Sequence, residues 1–273
     1  MNRYLKTGTV LLLVLAAVLA WNTFTLPPPA PVYMEVAMPP IDEDAVAQRL
    51  SAAVRIPTIS FEDRSQIDPA QLDAFAAYLQ QTFPRVAASL TREVVNGHSL
   101  LYTWPGSDSA AKPILLLAHM DVVPVEPGSE AQWTHAPFSG DIADGYIWGR
   151  GSLDDKDSLM AWMESAERLL AEGFKPKRTI YFAFGHDEEI GGEQGAKQIA
   201  ALLRSRGVIA EFTLDEGGAI TEGIVQNVQR PVATVMAAEK GYLSLRLTAH
   251  APGGHSSMPP HETAIGRLAR AVS

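Results

Sequence analysis

Residues 178–193 read RTIYFAFGHDEEIGGE. An apolar run that suits a strand ends at Gly185, and His186 is followed at once by three acids, Asp187, Glu188 and Glu189, and then by Gly191 and Gly192. Adjacent like charges repel, and carboxylates close to a buried strand lose hydration, so the arrangement costs stability unless a cation or a proton offsets it. The stretch therefore predicts a strand whose carboxyl end faces something positive.

The flanking sequence repeats the pattern. Upstream, PILLLAHMD (113–121) places a continuous apolar run before His119 and Asp121, which suits a strand covered on both faces. Downstream, VIAEFTLDEGG (208–218) is a further strand with an acidic end at Asp215. Between them the apolar spacing predicts a helix over 156–171, ended by Gly173, and another near 195–205, leading to Gly207. Strands alternating with helices imply an α/β fold with a mostly parallel sheet flanked by helices, and ligands of such sheets bind beyond the strands' carboxyl ends. His119, Glu189 and Asp215 all fall at such ends. Further upstream, 41–56 and the stretch from Asp68 or Pro69 to Phe83 read as helices, and SLLYTW (99–104), after the Asn96-Gly97 turn, reads as a strand.

The chain has 273 residues, 47% hydrophobic and 19% charged, with a net charge of -9 and no cysteine. Acidity without a basic patch beyond the N-terminus argues against nucleic acid as a partner. The lack of cysteine excludes thiol catalysis and Cys-ligated zinc, so any metal must be held by His and carboxylates. His119 and Asp121, Asp154 and Asp155 in GRGSLDDKD (149–157), Glu188 and Glu189, and Asp215 form a ligand set for zinc above all, with cobalt or manganese possible. Converging carboxylates usually mean more than one ion, with a bridging carboxylate between them. Singly, each piece has a plainer reading: a structural His after a strand, a turn-forming Asp, an N-cap at Asp154 or Asp155, a charged loop. Their occurrence in order, at strand ends or a helix start facing one sheet edge, favours the metal.

The ordered set AHMDVVP, GRGSLDDKD, HDEEIGG, LDEGG and GGHSSMPP, from roughly residue 45 to the end, resembles the aminoacylase and carboxypeptidase family of co-catalytic zinc hydrolases, in particular its carboxypeptidase S branch with secreted N-acyl-amino-acid hydrolases. The resemblance implies two zinc ions. His119 and Asp215 would ligate one, Glu189 the other, and Asp154 would bridge both. It makes Glu188 the general base and Asp121 the residue that holds the His119 tautomer, and it makes the bond between Asp154 and Asp155 a candidate cis peptide. It implies that 237–273 begins an inserted α+β lid and dimerisation domain, whose His255 would serve the neighbouring subunit's oxyanion in a homodimer. A final metal-ligating His and the residues that recognise the substrate carboxylate would lie beyond residue 273, and a helix over 262–273 with no stop signal reads as a C-terminally truncated chain. His98, His135, His250 and His261 are read as non-ligands, and His186 as flanking the site.

The N-terminus is separate. Arg3 and Lys6 precede an uncharged stretch from Thr7 to Leu26, read as a membrane anchor with its basic end in the cytoplasm or, alternatively, as a signal peptide cleaved near Val18 and Ala20. Residues 27–40, with six prolines, read as an extended spacer, 41–236 as the catalytic domain, and YLSLRLTAH (242–250) as a half-exposed strand. The expected activity of the intact protein is hydrolysis of an amide bond in a short peptide or an N-acyl amino acid, outside the cytoplasm; the 273-residue chain, short of one ligand, is expected to bind the second metal poorly and to turn over little. A desuccinylase-like deacylase and a non-catalytic membrane-tethered binding protein are the alternatives.

Overall fold

The computed structural model describes residues 3–25, 40–238, 240–241, 243–255, 257–258 and 260–273. The chain forms two compact units, Met1–Ala45 and Val46–Ser273. The first contains α1 (Arg3–Thr25), of which Thr7–Thr25, 19 residues with mean hydropathy 1.8, is long and apolar enough to cross a membrane. Apart from Pro40, the expected proline-rich spacer lies outside the described residues.

The second unit is built on a five-stranded sheet. In chain order its elements begin with α2 (Glu43–Val54), which the first unit's last residues open, α3 (Pro69–Thr82) and α4 (Pro84–Ser89). Then come β1 (Thr91–Val95), β2 (Ser99–Trp104), β3 (Ile114–His119), the hairpin β4 (Asp141–Ala143) and β5 (Tyr146–Trp148), α5 (Lys156–Ala171) and β6 (Ile180–Gly185). The unit continues with α6 (Ala196–Ser205), β7 (Phe212–Leu214), the short pair β8 (Ile220–Thr221) and β9 (Val232–Ala233), and α7 (Ala264–Val272). The sheet order is β1-β2-β6-β3-β7, so the α/β sheet is mixed, with parallel pairing confined to β6, β3 and β7 and antiparallel pairing of β1 with β2 and of β2 with β6.

Strand parity explains the two covered faces. Leu116 and Ala118 of β3, Phe182 and Phe184 of β6, and Leu100, Tyr102 and Trp104 of β2 point into one apolar cluster, where Phe75, Leu79, Val86, Leu159 and Met163 of α3, α4 and α5 meet them. The alternate residues Leu101 and Ala183, with Leu115 and Leu117 beside them, point to the other face and meet Ile199 and Leu203 of α6. Burying each large side chain contributes about 1.5–3 kcal/mol, which is why unbroken apolar runs form these strands. Helix starts follow local chemistry: Asp68 accepts a hydrogen bond from the Ala70 N–H ahead of α3, and Thr263 accepts one from Gly266 at the start of α7. Gly173, at φ 74, ends α5 as expected.

One expected element does not form. Residues 243–250 contain no strand, and Leu243, Leu245 and Leu247 are exposed. Their alternation is real, but a strand exists only where a neighbour takes its backbone hydrogen bonds, and no described segment pairs with this one.

Candidate metal centre

Parallel pairing brings the carboxyl ends of β3, β6 and β7 to one edge of the sheet. His119 sits opposite Gly185 in the register, and Leu116 opposite Leu214. The loop that begins at His186 and the acids after Leu214 are thereby carried to the His119 ring without any long side chain having to reach for it.

His119 is 2% exposed. Its Nδ1 lies 2.9 Å from the Asp121 main-chain oxygen, and its Nε2 lies 3.0 Å from Asp154 Oδ1, 3.2 Å from Glu216 Oε1 and 3.8 Å from Glu188 Oε2. One ligand atom from each of His119, Asp154 and Glu216 falls within a 4.8 Å group. Burial opposes charge on the ring, but hydrogen bonds and charge from Asp121 and Glu216 outweigh it and push the His119 pKa up to about 12.

Asp121 is fully buried and organises the loop. Its Oδ1 accepts the Glu188 N–H at 3.1 Å, and its Oδ2 accepts the Glu189 N–H at 3.2 Å and the Ser60 hydroxyl at 2.6 Å. Burial would raise its pKa, yet the His119 ring and the Ser60 hydroxyl hold it below the ordinary carboxylate value. Glu188 and Glu189 begin a short 3-10 turn that Gly191 and Gly192, at φ 96 and 66, reverse. Asp187 anchors the turn's other side: its carboxylate accepts the N–H groups of Gln194 and Gly195 at 2.9 and 2.7 Å and pairs with Arg64 Nη1 at 2.9 Å. A Cβ at Gly195 would stand 2.7 Å from Asp187 Oδ1, so only glycine lets the chain come this close.

The peptide bond between Asp154 and Asp155 is cis. Asp155 stands at the N-cap position of α5 without capping it, and its Oδ2 accepts the His119 N–H at 3.2 Å. Burial first, then the charge of Glu216, pushes the Asp155 pKa up to about 7, and its Oδ1 has no hydrogen-bond partner among the described residues. Burial and the charge of Asp154 likewise push Glu189 up to about 7, and burial raises Glu188. A set of nitrogen and carboxylate donors, several disfavouring their own charge and one with an orphaned buried oxygen, fits a divalent cation in residue type and arrangement.

The expected residues are gathered unevenly. His119, Asp121, Asp154 and Glu188 converge. Glu189 is held beside them through its backbone. Asp215 borders a cavity of about 350 Å³ whose walls include His119, Glu188, Leu115 and Leu117, and strand parity puts it on the α6 side of the sheet, whereas Glu216 carries its carboxylate to the ring. His255 is exposed, its Nδ1 2.8 Å from Ser257 Oγ. His186 flanks the site without joining it, bonded through Nδ1 to Ser99 Oγ at 2.6 Å. Glu216, Ser60 and Arg64 received no role from sequence reading. The first was signalled by its own motif, LDEGG; the other two act over 61 and 123 residues of sequence and left no local sign.

Residues 115–272 match the family described as Peptidase family M20/M25/M40. The chain is 45% identical over 269 residues to the N-fatty-acyl-amino acid synthase/hydrolase PM20D1 of Xenopus tropicalis, covering 96% of this chain and 52% of that protein. It is 47% identical over 232 residues to the probable carboxypeptidase S-like 2 of Dictyostelium discoideum, covering 84% and 44%. The chain thus spans about half the length of these relatives. Among solved structures, human carnosine dipeptidase 1 superposes with a TM-score of 0.53 at 20% identity, covering 66% of this chain and 41% of that one, a likeness of fold.

Proposed function

Because this chain belongs to the peptidase family M20/M25/M40, we propose that it carries the metal centre of a hydrolase that cleaves the amide bond of N-acyl amino acids or short peptides. The names of its relatives support these substrate classes. The observation that carries the reading is the His119 ring, with one nitrogen committed to a main-chain carbonyl and the other directed at Asp154 and Glu216.

His119 and Asp215 would hold one zinc ion, Glu189 a second, and Asp154 both, with cobalt or manganese as substitutes. Bound there, the ions supply Lewis-acid polarisation of the amide carbonyl and lower the pKa of water. Glu188 takes the proton of the attacking water as its oxygen bonds to the carbonyl carbon, and passes that proton to the leaving nitrogen as the C–N bond breaks, releasing a carboxylate and an amine. The raised pKa of Glu188 suits a group that must both accept and return a proton. Asp121 holds the His119 tautomer and the backbone of the acidic loop. Glu216, by its placement, supplies a further negative charge beside the ring nitrogen that faces Asp154.

Three further parts of the proposal rest on sequence. Thr7–Thr25 anchors the protein in a membrane, or is removed as a signal, with the centre on the exported side. Residues 237–273 begin a lid and dimerisation segment. The partner subunit's His255 steadies the oxyanion of the substrate. The test is zinc content of this chain after equilibrium dialysis, together with hydrolysis of a panel of N-acyl amino acids and dipeptides by a chain of its relatives' full length. Wild type retains zinc and His119→Ala does not; zinc retained equally by both would defeat the proposal.

A further inference from the structure

The segment Thr58–Gln66 touches the acidic loop at two separate points. Its first part runs beside the continuation of β3: the Thr58 hydroxyl donates to the Met120 carbonyl, Ile59 pairs with Val122 as an isolated parallel bridge, and the Ser60 N–H donates to the Val122 carbonyl at 3.0 Å. This places the buried Ser60 hydroxyl 2.6 Å from Asp121 Oδ2, the oxygen that also receives the Glu189 N–H. Four residues on, Arg64 opens a short 3-10 turn and reaches Asp187, the residue immediately before Glu188.

Resting on the metal-centre reading above, we propose that Ser60 and Arg64 are positioning residues, forming a strap that fixes Glu188 and Glu189 from both sides. The geometry leaves each a distinct task. A carboxylate that receives two successive backbone N–H groups can still turn about its own bond, and the Ser60 hydroxyl, coming from a different segment, removes that freedom from Asp121. Arg64 ties the buried carboxylate of Asp187, which already holds Gln194 and Gly195, to the same strap. The strap and the loop also share the walls of a groove of about 440 Å³, where Phe61 of the strap and Val123 face Glu189 and Ile190. A displaced strap therefore moves the Glu189 carboxylate and alters the approach to it. Outer hydrogen-bond partners of metal ligands set affinity by roughly 10–100-fold.

Cobalt(II) titration of the full chain, followed by its visible absorption bands, tests this while melting temperature reports folding. Wild type binds cobalt and shows ligand-field bands. Ser60→Ala is expected to lose roughly tenfold in cobalt affinity and to shift the bands, Ser60→Thr to restore both, and Arg64→Met to shift the bands in protein that is less stable but still melts cooperatively. Wild-type affinity and spectrum in both Ser60→Ala and Arg64→Met would overturn the strap while leaving the metal centre intact, and so would a Ser60→Thr variant no better than Ser60→Ala. Should Ser60→Ala fail to fold, Arg64→Met decides alone: shifted bands support the strap and unchanged bands overturn it. No cobalt bands in folded wild type would remove the metal-centre reading and the strap with it.

Discussion

The Nδ1 of His119 lies 2.9 Å from the main-chain oxygen of Asp121. A carbonyl oxygen only accepts, so Nδ1 carries the hydrogen and Nε2 is the nitrogen left for a cation. His119→Ala is expected to reduce zinc affinity by more than the roughly 10–100-fold that outer partners contribute, with the melting temperature in the presence of chelator showing that the fold persists.

The two acids of LDEGG are placed differently. Asp215 borders the same cavity as His119, and Glu216 pairs with the ring at 3.2 Å. Asp215→Ala is expected to weaken zinc binding more than Glu216→Ala, measured by competition with a chromogenic chelator. The opposite ranking would assign the ligand role to Glu216.

Glu188 is half-exposed, held by its backbone to Asp121 and free to act through its side chain. In a chain of its relatives' full length, Glu188→Gln is expected to lower hydrolysis by about 10²–10⁴-fold, the usual contribution of a positioned acid-base group, while zinc stoichiometry stays at the wild-type value. Full activity in that variant would rule out the assigned proton path.

Lys156 lies one residue beyond the Asp154–Asp155 pair, and its role is structural. Fully buried, its Nζ donates to the carbonyls of Ala53 and Ile56 at 3.1 and 2.6 Å and sits 4.9 Å from the centre of the Phe75 ring. Lys156→Met keeps the volume and leaves both carbonyls without that donor, so urea denaturation is expected to show a loss of about 1–3 kcal/mol. An unchanged midpoint would mean that water replaces the ammonium without cost.

Much of this was legible in local sequence, for physical reasons. Long apolar runs that stop at His119 and Gly185 suit strands covered on both faces, and acids placed at the ends of parallel strands share one edge. The α5 span Lys156–Ala171 was readable to the residue because its apolar stripe and Gly173 agree. What escaped was short or non-local. Thr91–Val95 alternates too weakly to announce a strand and forms β1 by pairing with β2. Pro84–Ser89 is too short for periodicity to show. Ser60 and Arg64 depend on Ile59 meeting Val122, a pairing that no window of neighbouring residues reveals. Residues 243–250 show the converse: alternation with no strand beside it among the described residues forms no strand.

A divalent cation is expected where the His119 ring and the Asp154 carboxylate meet. An anomalous difference map at the zinc edge, from crystals of the zinc-loaded protein, tests it most directly. The expected result is a peak about 2.0–2.2 Å from both His119 Nε2 and an Asp154 oxygen. Zinc found only at surface histidines such as His98 or His135, with His119 and Asp154 still in direct contact, would contradict it.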